Sequence, residues 1–191
     1  MRRFDMRKKA TSLRWLVFAV AGLLPNIVQA ASTSDWNTLL ERMAERNAIG
    51  DEVALSKWDT GKPVLDPARE AAVLEAVKGK AATHGLDPDD AAKIFAGLIE
   101  SNKLVQYELL SEWRVRGVAP NGKRPELAAL RVHLDQLEGE LLQAFSQTAA
   151  LRARKDCPVS LAHAVGDFAQ SHSLDAIHKM ALVRSVGDLC K

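Results

Sequence analysis

Only two cysteines, Cys157 and Cys190, occur in the 191 residues, and there is no Cys-x-x-Cys and no Cys/His cluster. The five histidines, His84, His133, His163, His172 and His178, share no ligand spacing, so no metal site is expected. A positive excess is also missing from most of the chain. The formal charge is +2, but residues 1–30 hold six basic side chains (Arg2, Arg3, Arg7, Lys8, Lys9, Arg14) and one acidic one, Asp5. The rest carries 20 basic against 23 acidic residues, a net of −3. Binding to a phosphate backbone draws on a basic surface that this body lacks, and nucleic acid is not an expected partner. Runs of β-branched residues and hairpin turns are absent, which argues against a sheet. No internal repeat or low-complexity segment interrupts the chain.

No apolar run is long enough to span a bilayer. Trp15 to Val28 is apolar for about fourteen residues and is broken by Pro25 and Asn26, against the roughly 20 that a crossing needs. Behind a basic stretch, and ahead of Val28-Gln29-Ala30 with small residues at the cleavage positions, it has the order of an export signal. Residues 1–30 are therefore expected to be cleaved, leaving one domain, 31–191, that is periplasmic or secreted and has no membrane segment of its own. In that compartment the two cysteines are most simply one disulfide closing a loop of 34 residues, with two free thiols as the alternative. Chain entropy assigns such a link roughly 3 to 4 kcal/mol.

What is present is helical periodicity, and the expected fold is an all-α bundle of about six helices. Ser34 or Asp35 can cap a first helix to about Lys57, with Trp36, Leu39, Leu40, Met43 and Ile49 on its apolar stripe. Gly61, Pro63 and Pro67 break the pattern, and Pro67 behind Asp66 opens a second helix to about His84. A third opens after Asp87-Pro88-Asp89-Asp90 and runs to about Arg116, turning Ile94, Phe95, Leu98, Ile99, Val105, Leu109 and Trp113 inwards. A fourth is expected from about Glu126 to Arg152, with Leu127, Leu130, Leu134, Leu137, Leu141 and Phe145 at near-heptad spacing. Two shorter helices, about Pro158 to His172 and Leu174 to Leu189, complete the chain, and a Cys157–Cys190 link would join their far ends.

Several polar residues stand where the stripes should be apolar. Arg46 and Lys57 are eleven apart, which at about 100° per residue returns to within about 20° of the same side of a helix. Asn102 and Gln106 are four apart on the third helix. Arg69 opens the second helix beside Glu70, and Arg131 lies between Leu130 and Leu134 on the fourth. Taken singly, each is an ordinary charge on an amphipathic helix.

Together, Arg46, Lys57-Trp58, Asp66-x-x-Arg69-Glu70, Glu100-Ser101-Asn102-x-x-x-Gln106-Tyr107, Pro125-Glu126-Leu127 and Arg131 resemble the helical class of chorismate mutase. The two distal cysteines resemble its secreted subclass, and the likeness covers about residues 35–190. It implies rearrangement of chorismate to prephenate without cofactor or metal, in a homodimer whose protomers each hold a complete pocket. It implies that Arg46 and Arg131 hold the two carboxylates, with Arg69 as a third cation. Lys57 and Gln106 would donate to the ether oxygen, Glu70 would receive the ring hydroxyl, and Asn102 would contact the ring-side carboxylate or hydroxyl, with Asp66 among the binding residues. Asn102 stands where relatives often have Ser or Thr, and Gln106 where others of the subclass carry Glu. The competing reading is an exported, non-enzymatic helical module that binds an anionic ligand or a partner protein. Convergence of Arg46, Lys57, Arg69 and Arg131 on one cavity would discriminate between the two.

Overall fold

The computed structural model describes residues 36–121, 124 and 126–191, with the side chain of Leu127 left out. The expected export signal, the Ser34 and Asp35 caps and Pro125 lie outside these residues. Among the described residues the elements are α1 (Asn37–Thr60), α2 (Pro67–Ala81), a 3₁₀ turn (Ala82–His84), α3 (Pro88–Arg116), α4 (Leu127–Gln147), α5 (Ala149–Arg152), α6 (Cys157–Ser171) and α7 (Ala176–Ser185), with no strand.

Local chemistry explains most of the boundaries. Proline opens α2 and α3, where a missing N–H costs nothing, and the preceding aspartate accepts from the third helical residue. Asp66 Oδ1 accepts from Arg69 N at 3.1 Å, and Asp87 Oδ1 from Asp90 N at 2.8 Å. Asp175 caps α7 in the same way, accepting from His178 N at 2.9 Å. The helix α1 runs past Lys57 to Thr60, further than expected, and ends where Gly61 takes a left-handed φ of 66° and donates to Lys57 O. Trp58 and Asp59 are thus helical, and the break begins only where the backbone needs a residue without Cβ.

The expected unbroken fourth helix is two. Thr148, buried at the junction, turns its hydroxyl back onto the carbonyls of Ala144 and Phe145 at 2.9 and 3.2 Å, and α5 restarts beyond it. Such back-bonding bends a helix by drawing its last carbonyls out of line. The last helix is shorter than expected at both ends, because Asp175 starts it and Val186 to Leu189 leave the helical path as a turn. Leu110 takes the buried place expected of Leu109, which is only half-buried against the cluster of Ala54, Val64, Leu110, Trp113 and Ala119.

The helix α3 is central and packs against α1, α2 and α7, while α1 also meets α4, α6 and α7. The main core is formed by Leu39, Leu40 and Met43 of α1, Phe95 and Leu98 of α3, Leu137, Leu141 and Phe145 of α4 and Leu182 of α7. Phe95 and Phe145 meet edge to face at 5.8 Å. The C-terminal segment is fastened twice. Cys157 at the start of α6 is bonded to Cys190 beyond α7, and the fully buried Arg152 donates to Leu189 O at 2.9 Å and to Asp90 Oδ2 at 2.7 Å. Both contacts are needed, because a buried guanidinium without them is strongly destabilising.

His178 of α7 lies between Asp51 of α1, 3.1 Å from Nε2, and Asp175, 2.8 Å from Nδ1. Its hydrogen bond to Asp51, opposed by burial and joined by Asp175, raises the imidazole from its ordinary 6.5 to about 9. A pKa raised on folding gives stability that is complete below the unfolded value and lost as pH rises through the folded one. The urea midpoint is therefore expected to fall between pH 6.5 and 9, and His178→Gln to remove that slope; equal slopes in both proteins would show that the pair does not carry it.

Candidate active site

Along α1, side chains that return to one side every eleven residues place Arg46 and Lys57 on the same wall, as their spacing predicts. That wall faces α2, α3 and α4 across a cavity of about 420 Å³. All eight polar residues singled out in the sequence line it: Arg46, Lys57, Asp66, Arg69, Glu70, Asn102, Gln106 and Arg131. The lining also contains Lys62, Lys103, Asp135 and Glu138. Among the described residues it therefore presents six cationic against four acidic side chains, a net of +2 suited to a dianion.

Arg46 sits deepest. Its side chain is buried and its Nε has no hydrogen-bond partner among the described residues. Loss of hydration lowers its pKa to about 10, against the opposing charge of Glu138 and with the help of nearby Arg69. It remains a guanidinium at neutral pH, desolvated and with a donor unused, a condition that an anion relieves. Lys57 donates from Nζ to Val64 O at 2.8 Å, which holds the ammonium against the connection between α1 and α2. Burial lowers its pKa, while Asp66 and Glu70 pull the other way and Lys103 adds repulsion.

The start of α2 supplies a reciprocal cap. Asp66 Oδ1 accepts from Arg69 N, and Glu70 Oε1 accepts from Asp66 N at 3.3 Å. Glu70 Oε2 accepts from Lys103 Nζ at 3.0 Å, and Lys103 also meets Glu100 at 2.7 Å. Burial alone would lower the Lys103 pKa, but Glu100 and Glu70 outweigh it and the net direction is upward. Both Glu70 oxygens are thereby held in place. Asp66 is first a helix cap, with its second oxygen left for the cavity. Arg69 reaches Asp135 of α4 at 3.5 Å, and Arg131 has no side-chain partner among the described residues.

On α3 the orientation of two amides follows from a single carbonyl. The backbone oxygen of Arg46 can only accept, so the group facing it at 2.7 Å must be Asn102 Nδ2. Asn102 Oδ1 then faces Gln106, whose Nε2 donates to it at 2.7 Å. Gln106 keeps a second N–H, while its Oε1 is buried and unpartnered among the described residues. Gly50 eases the close approach: a Cβ there would stand 3.2 Å from Asn102 Nδ2 and 3.2 Å from Val105 Cβ, and a neighbour would have to give by a few tenths of an ångström.

Lys62, Lys103, Asp135 and Glu138 escaped the sequence reading. Glu138 is buried and accepts from Lys80 at 2.7 Å. Its spacing carried a signal, since Arg131, Leu134, Asp135 and Glu138 follow helical three- and four-residue steps on one face. Lys103 carried only its three-residue step from Glu100, an ordinary surface pairing, because its other partner Glu70 lies on another helix. Among the described residues the lining contains no histidine, cysteine or serine side chain, and its one hydroxyl is that of Thr60. What it offers is fixed charge and hydrogen-bond donors around a bound anion.

The family described as chorismate mutase type II matches residues 37–107. A crystal structure of chorismate mutase from Burkholderia phymatum superposes with a TM-score of 0.80 at 43% identity, covering 82% of this chain and 96% of that one. For chorismate mutase from Burkholderia thailandensis the TM-score is 0.77 at 34% identity, over 80% and 97%. The secreted chorismate mutase of Mycobacterium tuberculosis is 27% identical over 182 residues, 95% of this chain and 92% of that protein.

Crowding the Gly50 contact should disturb the helix crossing behind the amides. Gly50→Ala sets the roughly 1 kcal/mol that alanine gains over glycine inside a helix against the roughly 1–3 kcal/mol of an overpacked crossing; the crowding is expected to outweigh the gain and lower the urea midpoint, and a raised midpoint would mean that α1 and α3 give way at this contact.

Proposed function

The chain belongs to the chorismate mutase family, and from that membership we propose that it converts chorismate to prephenate as an exported enzyme. The observation that carries this reading is the convergence of Arg46, Lys57, Arg69 and Arg131, together with Glu70, Asn102 and Gln106, on one cavity with net positive lining. An unrelated set of surface charges would have no reason to converge in this way, and nothing favours the binding-module alternative.

The reaction is a pericyclic rearrangement within one molecule: the ether C–O bond breaks as a C–C bond forms. No group is transferred to the protein, so catalysis consists of folding a flexible dianion into a chair-like conformer and stabilising charge on the departing ether oxygen. Arg46 and Arg131 grip the carboxylates, with Arg69 as the third cation; a guanidinium fork matches carboxylate geometry in a way an ammonium does not. Lys57 donates to the ether oxygen as negative charge gathers there. Gln106 adds the N–H that Asn102 does not use. These contacts strengthen at the transition state, and only such contacts raise kcat. Glu70, held from both sides, accepts the ring hydroxyl, while Asn102 turns its remaining amide hydrogen to the ring side and Asp66 sits at the entrance.

Export is supported by the order of residues 1–30 and by the Cys157–Cys190 disulfide, which suits an oxidising compartment. The printed name of the mycobacterial relative, a secreted enzyme, agrees. Cleavage near Ala30 and pairing of two protomers belong to the same proposal and rest on the sequence resemblance.

The test is the loss of chorismate ultraviolet absorbance with purified residues 31–191. Wild-type turnover is expected, with Lys57→Ala lowering kcat by about two orders of magnitude or more while circular dichroism stays helical, a scale typical of one lost preorganised donor. No turnover by the folded, disulfide-bonded wild type would overturn the activity, and a change confined to KM would reassign Lys57 to binding.

The amide at 106 donates at any pH, so the wild-type rate should be flat across neutrality. In Gln106→Glu a carboxylate must be protonated before it can donate, and its ionised form would face Asn102 Oδ1; activity is expected to rise as pH falls. A pH profile superimposable on that of the wild type would remove Gln106 from the ether-oxygen role.

A further inference from the structure

Behind the cavity, on the far side of the α1–α3 crossing, three buried side chains form a closed ring. Asn47 Nδ2 of α1 donates to Ser185 Oγ of α7 at 3.0 Å, Ser185 Oγ donates to Ser101 Oγ of α3 at 2.8 Å, and Ser101 Oγ donates to Asn47 Oδ1 at 2.8 Å. Ser185 Oγ and Ser101 Oγ also lie 3.0 and 2.9 Å from the carbonyls of Ala181 and Leu98 on their own helices, so each hydroxyl proton is shared between the ring and its helix, and all three residues are at most 2% exposed. Apolar residues of similar size would fill this space without polar cost, but they would tolerate sliding; bonds of this kind between three helices are kept only while the helices hold one register. It sets the axial position and rotation of three helices against one another.

Two ring members are sequence neighbours of residues in the cavity wall. Asn47 follows Arg46 and Ser101 precedes Asn102, and one residue is a turn of about 100°, so on each helix one side chain faces the ring and its neighbour faces the site. The register held by the ring is therefore the register that brings Asn102 Nδ2 within 2.7 Å of the Arg46 carbonyl and, through Asn102, orients the amide of Gln106.

We propose that Ser185 is a remote positioning residue: through Asn47 and Ser101, α7 locks the α1–α3 register on which the Arg46 carbonyl–Asn102–Gln106 chain depends. The C-terminal segment thus belongs to the active-site scaffold, with the disulfide and Arg152 holding its end. Ser185 touches no substrate. Its influence passes through the orientation of Gln106, and so appears in kcat more than in KM. This assignment deepens the mutase reading and rests on it for its kinetic test.

The experiment is a double-mutant cycle between Ser185→Ala and Gln106→Ala, with urea midpoints recorded and rates normalised to folded protein. Ser185→Ala is expected to lower kcat by at least about threefold with KM changed less than about twofold, within the range that misplacement and remote coupling produce. In the Gln106→Ala background the same substitution is expected to change kcat by less than about 1.5-fold, because the group it positions is gone. Ser101→Ala should reproduce this pattern, and it stands in if Ser185→Ala fails to fold. An unchanged kcat in the wild-type background, or an equal loss in both backgrounds, overturns the proposal while wild-type turnover and the Lys57→Ala loss still stand. A second readout needs no turnover. The side-chain amide protons of Asn102 and Gln106 should lose protection from solvent exchange in Ser185→Ala, and protection equal to wild type would overturn the proposal as well.

Discussion

At the α1–α3 crossing, the carbonyl of Arg46, which already serves its own helix, takes a further hydrogen bond from Asn102 at 2.7 Å. That contact requires two helix backbones close enough for one side-chain amide to bridge them, and Gly50 provides the clearance. From it follow the sense of the Asn102 amide, the sense of the Gln106 amide and the side of Gln106 turned to the cavity. Groups of opposite hydrogen-bonding character are nearly equal in size in an amide, so shape alone would not choose between its two orientations. A backbone acceptor does.

The cavity it borders is electrostatically tense. Arg46 has lost water without gaining a full set of partners, Lys57 leans on one carbonyl, and Lys103 is held between two carboxylates. Glu138 and Glu70 keep these cations tolerable without neutralising them, so the lining retains a positive excess. Such preorganisation costs stability in the free protein and is useful only if a dianion arrives to complete it. The reaction assigned to the site has little else to ask of a protein, since the reacting bonds lie within one molecule.

The outer fastenings serve the same interior. The buried Arg152 and the His178 bridge tie the segment after α4 back onto α3 and α1, and the disulfide closes that segment on itself. They give α7 a fixed place, from which Ser185 reaches the ring at the back of the crossing. The apolar core holds the helices together, and the polar contacts decide how they are aligned.

Much of this was legible in the residues themselves. The helix start at Pro67 was readable because its cap is local, and the shared wall of Arg46 and Lys57 because a helix repeats its direction at a known angle; α3 starts at Pro88, ahead of the expected opening after Asp90, because Asp87 is the residue that caps it. Leu110 replacing Leu109, the bend at Thr148 and the extension of α1 to Thr60 were not, because burial and carbonyl capture depend on what lies opposite. Lys103 was missed since its partner Glu70 is 33 residues away, and the Asn47–Ser101–Ser185 ring because three small polar residues scattered over α1, α3 and α7 have no shared spacing. By itself, the sequence determined the helical class, the approximate helix starts and the residue types around the pocket, since these follow from periodicity and side-chain chemistry within a few turns. Only the tertiary structure decided which polar atoms meet and which amide edge faces the cavity, because hydrogen-bond direction between helices exists only once their register is set.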